Sequence, residues 1–326
     1  MPGEFSLIDR FLSFFAKDCG SSGVLLGPGD DCAVTALRQG MHLCTTVDAV
    51  VDGVHFSLDT FRGEEIGHKA LAINLSDLAA MGAEPRWFLC SIALPKDTAS
   101  LDRLPAIAAG MSSLARQTGV TLIGGNFTRA ERLSIHITAM GEVPAGESLT
   151  RSGAAPGDLV FVSGCLGGAS IALEMLQSGH SIPESLRCRQ CRPLPRLELG
   201  RRLRTLASAA LDVSDGLLQD LEHLADKSGV GVKLEAAQIP VDPCIAAEGF
   251  EKELALQAAL SGGEDYELAF SVPEANADAV RAAAADVGIC VTEIGKVVFG
   301  RGVSLSGGSA DLKNAAAKGF DHFRRS

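Results

Sequence analysis

Five short acidic motifs, each beside a glycine or at the end of an apolar run, constrain this chain more than any other feature. They are Gly27-Pro28-Gly29-Asp30-Asp31-Cys32-Ala33-Val34, Thr46-Val47-Asp48, Asn74-Leu75-Ser76-Asp77, Asp212-Val213-Ser214-Asp215-Gly216 and Gly262-Gly263-Glu264-Asp265. Apolar runs of strand length that end in glycine and acid, alternating with amphipathic stretches of helix length, specify a mixed α and β fold. In extended backbone neighbouring side chains point to opposite faces, so at most one of Asp30 and Asp31 faces a given site. Any one of these turns is equally well read as a solvated Asx-turn. Their recurrence is what points to chemistry.

The coarse reading follows from the same periodicity. An amphipathic helix over 5–15 has a packing role, and a strand over 42–47 delivers Asp48 at its end. Asp52-Gly53-Val54-His55-Phe56 is a turn carrying a histidine. A helix over 63–81 has a core stripe of Leu71, Leu75 and Leu78, with Asn74 and Asp77 sharing another face near its C-terminal end. A carboxylate there is disfavoured by the helix dipole, and a cation relieves it. Strands are expected at 87–94, 133–143, 159–163, 266–272 and 291–298, and helices at 101–118, 169–177, 195–207, 217–227 and 275–287, with a helix and its flanks within 242–259. Residues 120–126 run a strand into the glycine pair Gly124-Gly125 and then Asn126.

The turn composition of 144–158, which contains Arg151, divides the chain into a domain of 1–145 and a second of 146–326. The loop of Gly164, Gly167 and Gly168 between strand and helix is compatible with a phosphate cradle, but no GxGxxG fingerprint or Walker lysine accompanies it.

With 326 residues and 46% apolar composition the chain has material for two cores. A formal charge of -11, with no basic run interleaved with aromatics, argues against a nucleic-acid partner. Such a charge would repel a phosphorylated ligand unless Mg²⁺ or a similar ion intervenes. Nine scattered cysteines in apolar surroundings read as reduced thiols of a cytoplasmic protein. The Cys188/Cys191 pair has no second pair to make a zinc site. No signal peptide or membrane-spanning stretch is visible.

Hard divalent cations choose oxygen ligands, and phosphoryl transfer needs charge neutralisation and in-line positioning rather than a covalent nucleophile. No serine nucleophile elbow, HExxH motif or cysteine–histidine pairing competes with that chemistry.

The segments GEFSLIDRF, GPGDDCAV, DGVHF, KALAINLSDLAAMGAEP, LTRSGAAPGD, LDVSDGL, SGGEDYEL and GFDHF, in this order and over nearly the whole length, resemble the thiamine-monophosphate kinase family. Its wider superfamily includes aminoimidazole ribonucleotide synthetase and selenophosphate synthetase. The resemblance implies an α/β (α+β) two-domain aminoimidazole ribonucleotide synthetase-like architecture whose N-terminal domain pairs its sheet in a homodimer. It implies ATP-dependent phosphorylation of thiamine monophosphate to thiamine diphosphate with several Mg²⁺. It further implies that Asp31, Thr46, Asp48, Asp77, Asn126, Asp212 and Asp215 are metal ligands, that Gly125, Asn126, Arg151 and Ser214 address ATP, and that His55, Glu264 and Phe320 address the substrate. Taken singly, Arg151 also reads as a linker charge, Glu264 as a solvated turn residue and Phe320 as core.

Two departures stand out. Val47 occupies the position before Asp48 where the family usually has threonine, and Asn126 stands where GGD is common. They motivate the alternative of a nucleotide-binding regulator with impaired catalysis. Another ATP-using enzyme of the same superfamily is the second alternative.

Overall fold

The computed structural model describes residues 4–15, 23–28, 32–96 and 98–307. The chain divides into two compact units, residues 1–78 with 83–146, and residues 79–82 with 147–326.

The first unit follows the order α1 (Glu4–Leu12), β1 (Val24–Leu26), β2 (Val34–Thr35), β3 (Met41–Val51), α2 (Gly63–Ala80), β4 (Glu84–Leu94), α3 (Thr98–Thr118), β5 (Thr121–Arg129) and β6 (Ser134–Pro144). Its main sheet has the order β3-β6-β4-β5, and β1 pairs with β2 in a small ribbon. The long β3–β6 ladder runs from Met41↔Pro144 to Val51↔Ser134. The parallel β4–β5 pair requires a crossover, which α3 supplies.

Alternation gives the sheet two unlike faces. Phe88, Cys90, Ile92, Ile135, Ile137, Ala139 and Val143 form a buried face. Phe11 and Phe15 at the end of α1 pack edge-on to Phe127 and Phe88 respectively. Helices α2 and α3 meet so closely that a Cβ on Gly67 would lie 1.9 Å from the Ile107 carbonyl oxygen, and one on Gly110 1.9 Å from that of Glu64. The opposite face is covered in part where Trp87 packs against Val24 of β1, and its open remainder carries Leu43, Val47 and Leu89, exposed by 44%, 65% and 36%.

The second unit contains β7 (Leu159–Ser163), α4 (Gly168–Gln177), α5 (Glu184–Cys191), α6 (Leu197–Leu203), β8 (Ala209–Asp212), α7 (Leu217–Ser228), β9 (Gly231–Glu235), α8 (Pro243–Ala247), α9 (Lys252–Ser261), β10 (Leu268–Val272), α10 (Ala277–Asp286), β11 (Val291–Val298) and β12 (Gly302–Ser306). Its sheet has the order β12-β9-β11-β7-β10-β8. Every ladder is antiparallel except that of β12 with β9. Both faces of the central strands are buried. Val160 and Val162 join one core with Leu217, Leu221 and Leu224, while Leu159 and Phe161 join another with Phe270 and Val280. The continuous apolar run 159–162 is the sequence signature of that double burial.

Several sequence expectations are corrected. Strand β3 continues to Val51, so Asp48 lies within a strand rather than at its end. Strand β5 does not stop at the glycine pair but continues through Gly124-Gly125-Asn126 to Arg129. The basic helix over 195–207 contracts to α6, and the 242–259 stretch holds two helices, α8 and α9. Elements α5, β9 and β12 were not anticipated.

Candidate active site

In the first unit β3 and α2 bring acidic and amide side chains together. Thr46 Oγ1 donates to Asp77 Oδ2 at 2.5 Å. Two residues along the same strand face, the Asp48 backbone N–H donates to Asn74 Oδ1 at 2.9 Å. Asn74 is buried and returns its amide to the Ala70 carbonyl at 3.0 Å, one turn back along α2. The three-residue spacing of Asn74 and Asp77 therefore places both on the helix face that meets β3. Asp48 is exposed and Asp77 half-buried. The donors gathered here are oxygens, the ligand type that suits Mg²⁺, which takes one or two carboxylates alongside phosphate and water. No group of three or more histidine, cysteine, aspartate or glutamate side chains suited to a shared metal occurs among the described residues.

His55 follows β3 in the expected turn. Its Nδ1 accepts the Val51 N–H at 3.2 Å, so in the neutral ring the proton resides on Nε2. The buried Lys69 donates to the His55 carbonyl at 3.1 Å and lies over the Phe61 ring, which ties the histidine turn to α2.

Val47 and Asn126 are placed elsewhere. Val47 pairs with Thr138, Thr138 with Leu89, and Leu89 with Gly124, so Val47 and Asn126 share the open face, opposite to Thr46. Strands β3 and β5 are separated by two others, roughly 14 Å at three strand spacings. The structure does not bring Asn126 to the Thr46–Asp77 pair. Gly125 is glycine for a packing reason: a Cβ there would lie 2.0 Å from the Cys90 carbonyl oxygen. Asp31 and Phe320 lie outside the described residues.

In the second unit the motifs around Asp212 and Glu264 form one structure. Asp212 ends β8, buried, in register with Leu268. Beyond it, Glu264 N–H donates to the Ser214 carbonyl at 2.8 Å, Tyr266 N–H to that of Val213 at 2.9 Å, and Val213 N–H to that of Glu267 at 2.8 Å. Ser214, Asp215 and Glu264 are thus neighbours. Glu264 and Tyr266 hold positive φ values of 70° and 50°, sparsely populated for residues with side chains and enriched at functional sites. Arg151 is exposed, and its carbonyl accepts the Ser228 hydroxyl at 3.1 Å.

Buried and half-buried polar groups fix these turns. Asp220 Oδ2 accepts the backbone N–H groups of Ser214, Asp215 and Gly216 at 3.0, 3.1 and 3.1 Å. Burial raises its carboxyl to about 7, the nearby Asp215 charge adds to the rise, and the three N–H bonds oppose it. Asp265 accepts the N–H groups of Gly167 and Ala169 at the start of α4 at 2.8 and 3.3 Å, and burial raises it to about 8 against those bonds. Glu267 is buried and bidentate to Arg196, with the Ser163 hydroxyl as a further donor. Gln190 on α5 donates to Glu264 Oε2 at 2.5 Å.

Sequence reasoning singled out neither Lys69, Asp220, Gln190 nor Arg196 as site residues. Asp220 alone had a local signal, an acid in the first turn of a helix. The others act through contacts between elements distant in sequence.

Models of the AIR synthase related protein N-terminal and C-terminal domains match residues 29–143 and 155–308. The thiamine-monophosphate kinase of Escherichia coli K12 is 39% identical over 98% of both chains. The chain belongs to the thiamine-monophosphate kinase family. Among solved structures, the thiamine-monophosphate kinase of Stenotrophomonas maltophilia superposes with a TM-score of 0.84 at 42% identity, over 93% of this chain and 96% of that one. A structure described as AaThiL complexed with AMPPCP and TMP superposes with a TM-score of 0.76 at 31% identity, over 98% and 97%. The recognition drawn from the motifs agrees with these relatives, as do the mixed two-domain architecture and the kinase class. No helix among the described residues is long and apolar enough to cross a membrane.

Proposed function

We propose that this protein catalyses ATP-dependent phosphorylation of thiamine monophosphate to thiamine diphosphate by direct in-line transfer assisted by Mg²⁺. The observation that carries the reading is the fixed pairing of β3 and α2, where Thr46 and Asp77 are joined and Asn74 holds the Asp48 backbone, within a chain whose relatives of this name match it end to end. When bound, Mg²⁺ supplies charge neutralisation at the phosphates.

The chain's own residues do the rest. In the first unit Asp31, Thr46, Asp48 and Asp77 supply oxygen ligands, and His55 addresses the substrate; Asn126, on the other face of the sheet, is left out of that set. In the second, Asp212 and Asp215 are acidic ligands, Ser214 and Arg151 bind ATP phosphates, and Glu264 faces the cationic substrate. Gly125 lets the β5 backbone approach closely at the ATP side, and Phe320 covers an aromatic ring of thiamine monophosphate. No side chain serves as a covalent nucleophile. We place the homodimer contact on the open face with Leu43, Val47 and Leu89, an apolar surface that pairing of two sheets would cover. A cytoplasmic location accords with nine cysteines scattered along the sequence, in largely apolar surroundings.

Incubating the purified protein with ATP, Mg²⁺ and thiamine monophosphate tests the reading. Thiamine diphosphate and ADP should appear in equal amounts. ATP binding without product would favour the regulator, and turnover of a different phosphorylated acceptor would favour a sister enzyme.

A further inference from the structure

The turn that carries His55 is closed by its own backbone. His55 N–H donates to the Val51 carbonyl at 3.0 Å, the ring Nδ1 accepts the Val51 N–H at 3.2 Å, and Gly53 N–H donates to the Phe56 carbonyl at 2.8 Å. These bonds set the shape of the turn and leave its placement against α2 to contacts from outside it. Lys69 makes two of those contacts. Its ammonium donates to the His55 carbonyl at 3.1 Å, and Nζ stands 5.4 Å from the centroid of the Phe61 ring. Phe61 in turn packs on Phe56, the residue after His55, with ring centroids 6.2 Å apart.

Lys69 is 1% exposed and is among the largest wholly buried side chains of the described residues. Stability accounts poorly for it, because burying an ammonium is costly even where it is paired, and an apolar side chain of similar length would fill the space without that cost. Its place on α2 accounts for it better. Asp77 follows eight residues later on the same helix, roughly 12 Å along the axis at 1.5 Å per residue. One rigid element therefore carries both the anchor of the histidine turn and the acid that pairs with Thr46, and sets the distance between them.

We infer that Lys69 is a positioning residue that seats the His55 turn on α2, so that the part of the substrate held by His55 stands at a set distance from the Thr46–Asp77 pair. The inference rests on the reading that His55 addresses thiamine monophosphate, and extends that site to a residue inside α2. Lys69 acts through the His55 backbone.

Steady-state kinetics with ATP, Mg²⁺ and thiamine monophosphate test it on wild type, Lys69→Met, Lys69→Gln, His55→Ala and the Lys69→Met/His55→Ala double variant. Methionine fills the aliphatic space and removes the donor, and glutamine keeps a donor on a side chain one bond shorter, out of reach of the carbonyl. Both Lys69 variants should raise the KM for thiamine monophosphate about tenfold, the effect of a displaced substrate contact, and leave the KM for ATP and the Mg²⁺ concentration for half-maximal rate within about twofold. In the His55→Ala background the methionine change should add nothing to that KM.

An unchanged KM for thiamine monophosphate in either Lys69 variant would overturn the inference. An equal rise in the KM for ATP, a shift in Mg²⁺ dependence or an additive double variant would reduce Lys69 to a structural residue, since general damage to α2 also moves Asp77. If methionine prevents folding, glutamine, alone and combined with His55→Ala, carries the test. A His55→Ala protein with wild-type KM, or a wild-type protein that forms no thiamine diphosphate, is instead failure of the underlying reading; it is recognised without any Lys69 variant and takes the inference with it.

Discussion

Replacing Asp220 by alanine should disorganise the Ser214–Asp215–Gly216 turn. One oxygen of Asp220 accepts three backbone N–H groups, and the alanine variant leaves all three without that partner. The Gly216 N–H is buried, so losing its acceptor is worth about 1–3 kcal/mol, and the other two, partly open to water, lose roughly 1 kcal/mol each. Part of this is offset because the buried carboxyl and its repulsion from Asp215 disappear, leaving a net destabilisation of about 2–4 kcal/mol. For a domain of this size that lowers Tm by roughly 5–15 °C. Because Ser214 is assigned to ATP, the KM for ATP should rise with it.

The pH dependence supplies an internal control. The folded carboxyl titrates near 7, above its ordinary range, so the folded state holds this proton more tightly than the unfolded chain. Its contribution to stability is complete below the usual aspartate pKa and is lost as pH rises through 7. Asp220→Asn keeps an acceptor oxygen and cannot ionise, so between pH 6 and 8 its Tm should fall less than that of wild type. Asp265, raised in the same direction, contributes equally to both proteins and cancels in the difference. Scanning calorimetry at pH 6, 7 and 8 measures all three chains. An alanine variant that melts within 2 °C of wild type and keeps its KM for ATP would refute the claim that Asp220 organises the turn.

Further expectations rest on equally specific contacts. Asp77→Asn preserves an acceptor for Thr46 but removes the charge, and should lose roughly 10²–10³-fold in kcat with an unchanged melting curve; wild-type turnover would take Asp77 out of the metal site. Gly125→Ala sets a methyl group 2.0 Å from the Cys90 carbonyl and should destabilise by about 1–3 kcal/mol in urea titration. Arg196→Met leaves the buried Glu267 uncompensated and should cost about 3–5 kcal/mol by the same measurement, with double replacement of Arg196 and Glu267 by apolar residues recovering part of it.

The elements whose pattern reflects one dominant burial direction were legible in the sequence. The leucine stripe of α2 and the apolar run of β7 declared their surroundings locally, and the Asn74/Asp77 spacing placed two polar groups on one helix face. The Gly124-Gly125-Asn126 stretch misled because glycine is required there by the approach of the neighbouring strand, a constraint from β4 that sequence periodicity does not carry. Helix α5 was hidden for a related reason: its cysteines and arginines present no apolar stripe, and Arg189 and Gln190 are used in contacts to Asp242 and Glu264. The residues that hold the candidate site in shape were the least legible, since each is defined by a partner about 70 or more residues away or by backbone groups with no side-chain signature.

The position of Val47 changes what that departure from the family pattern means. Read from the sequence, valine in place of threonine beside Asp48 motivates a regulator with impaired catalysis. Strand alternation puts Thr46 on the face of α2 and Val47 on the reverse, where it is 65% exposed. The Thr46–Asp77 contact and the Asn74 clamp on Asp48 are therefore indifferent to the side chain at 47. The same substitution adds a branched apolar group to a face that already carries Leu43 and Leu89, so its energetic consequence belongs to whatever covers that sheet. At about 25 cal/mol per Å² of apolar surface, covering a valine contributes roughly 1–2 kcal/mol per copy. If the proposed homodimer forms on this face, Val47→Thr should shift its equilibrium in sedimentation toward monomer and leave the Mg²⁺ dependence of the kinase reaction alone. A change in Mg²⁺ dependence with no change in dimerisation would return Val47 to the metal site and make strand alternation the wrong guide to this edge.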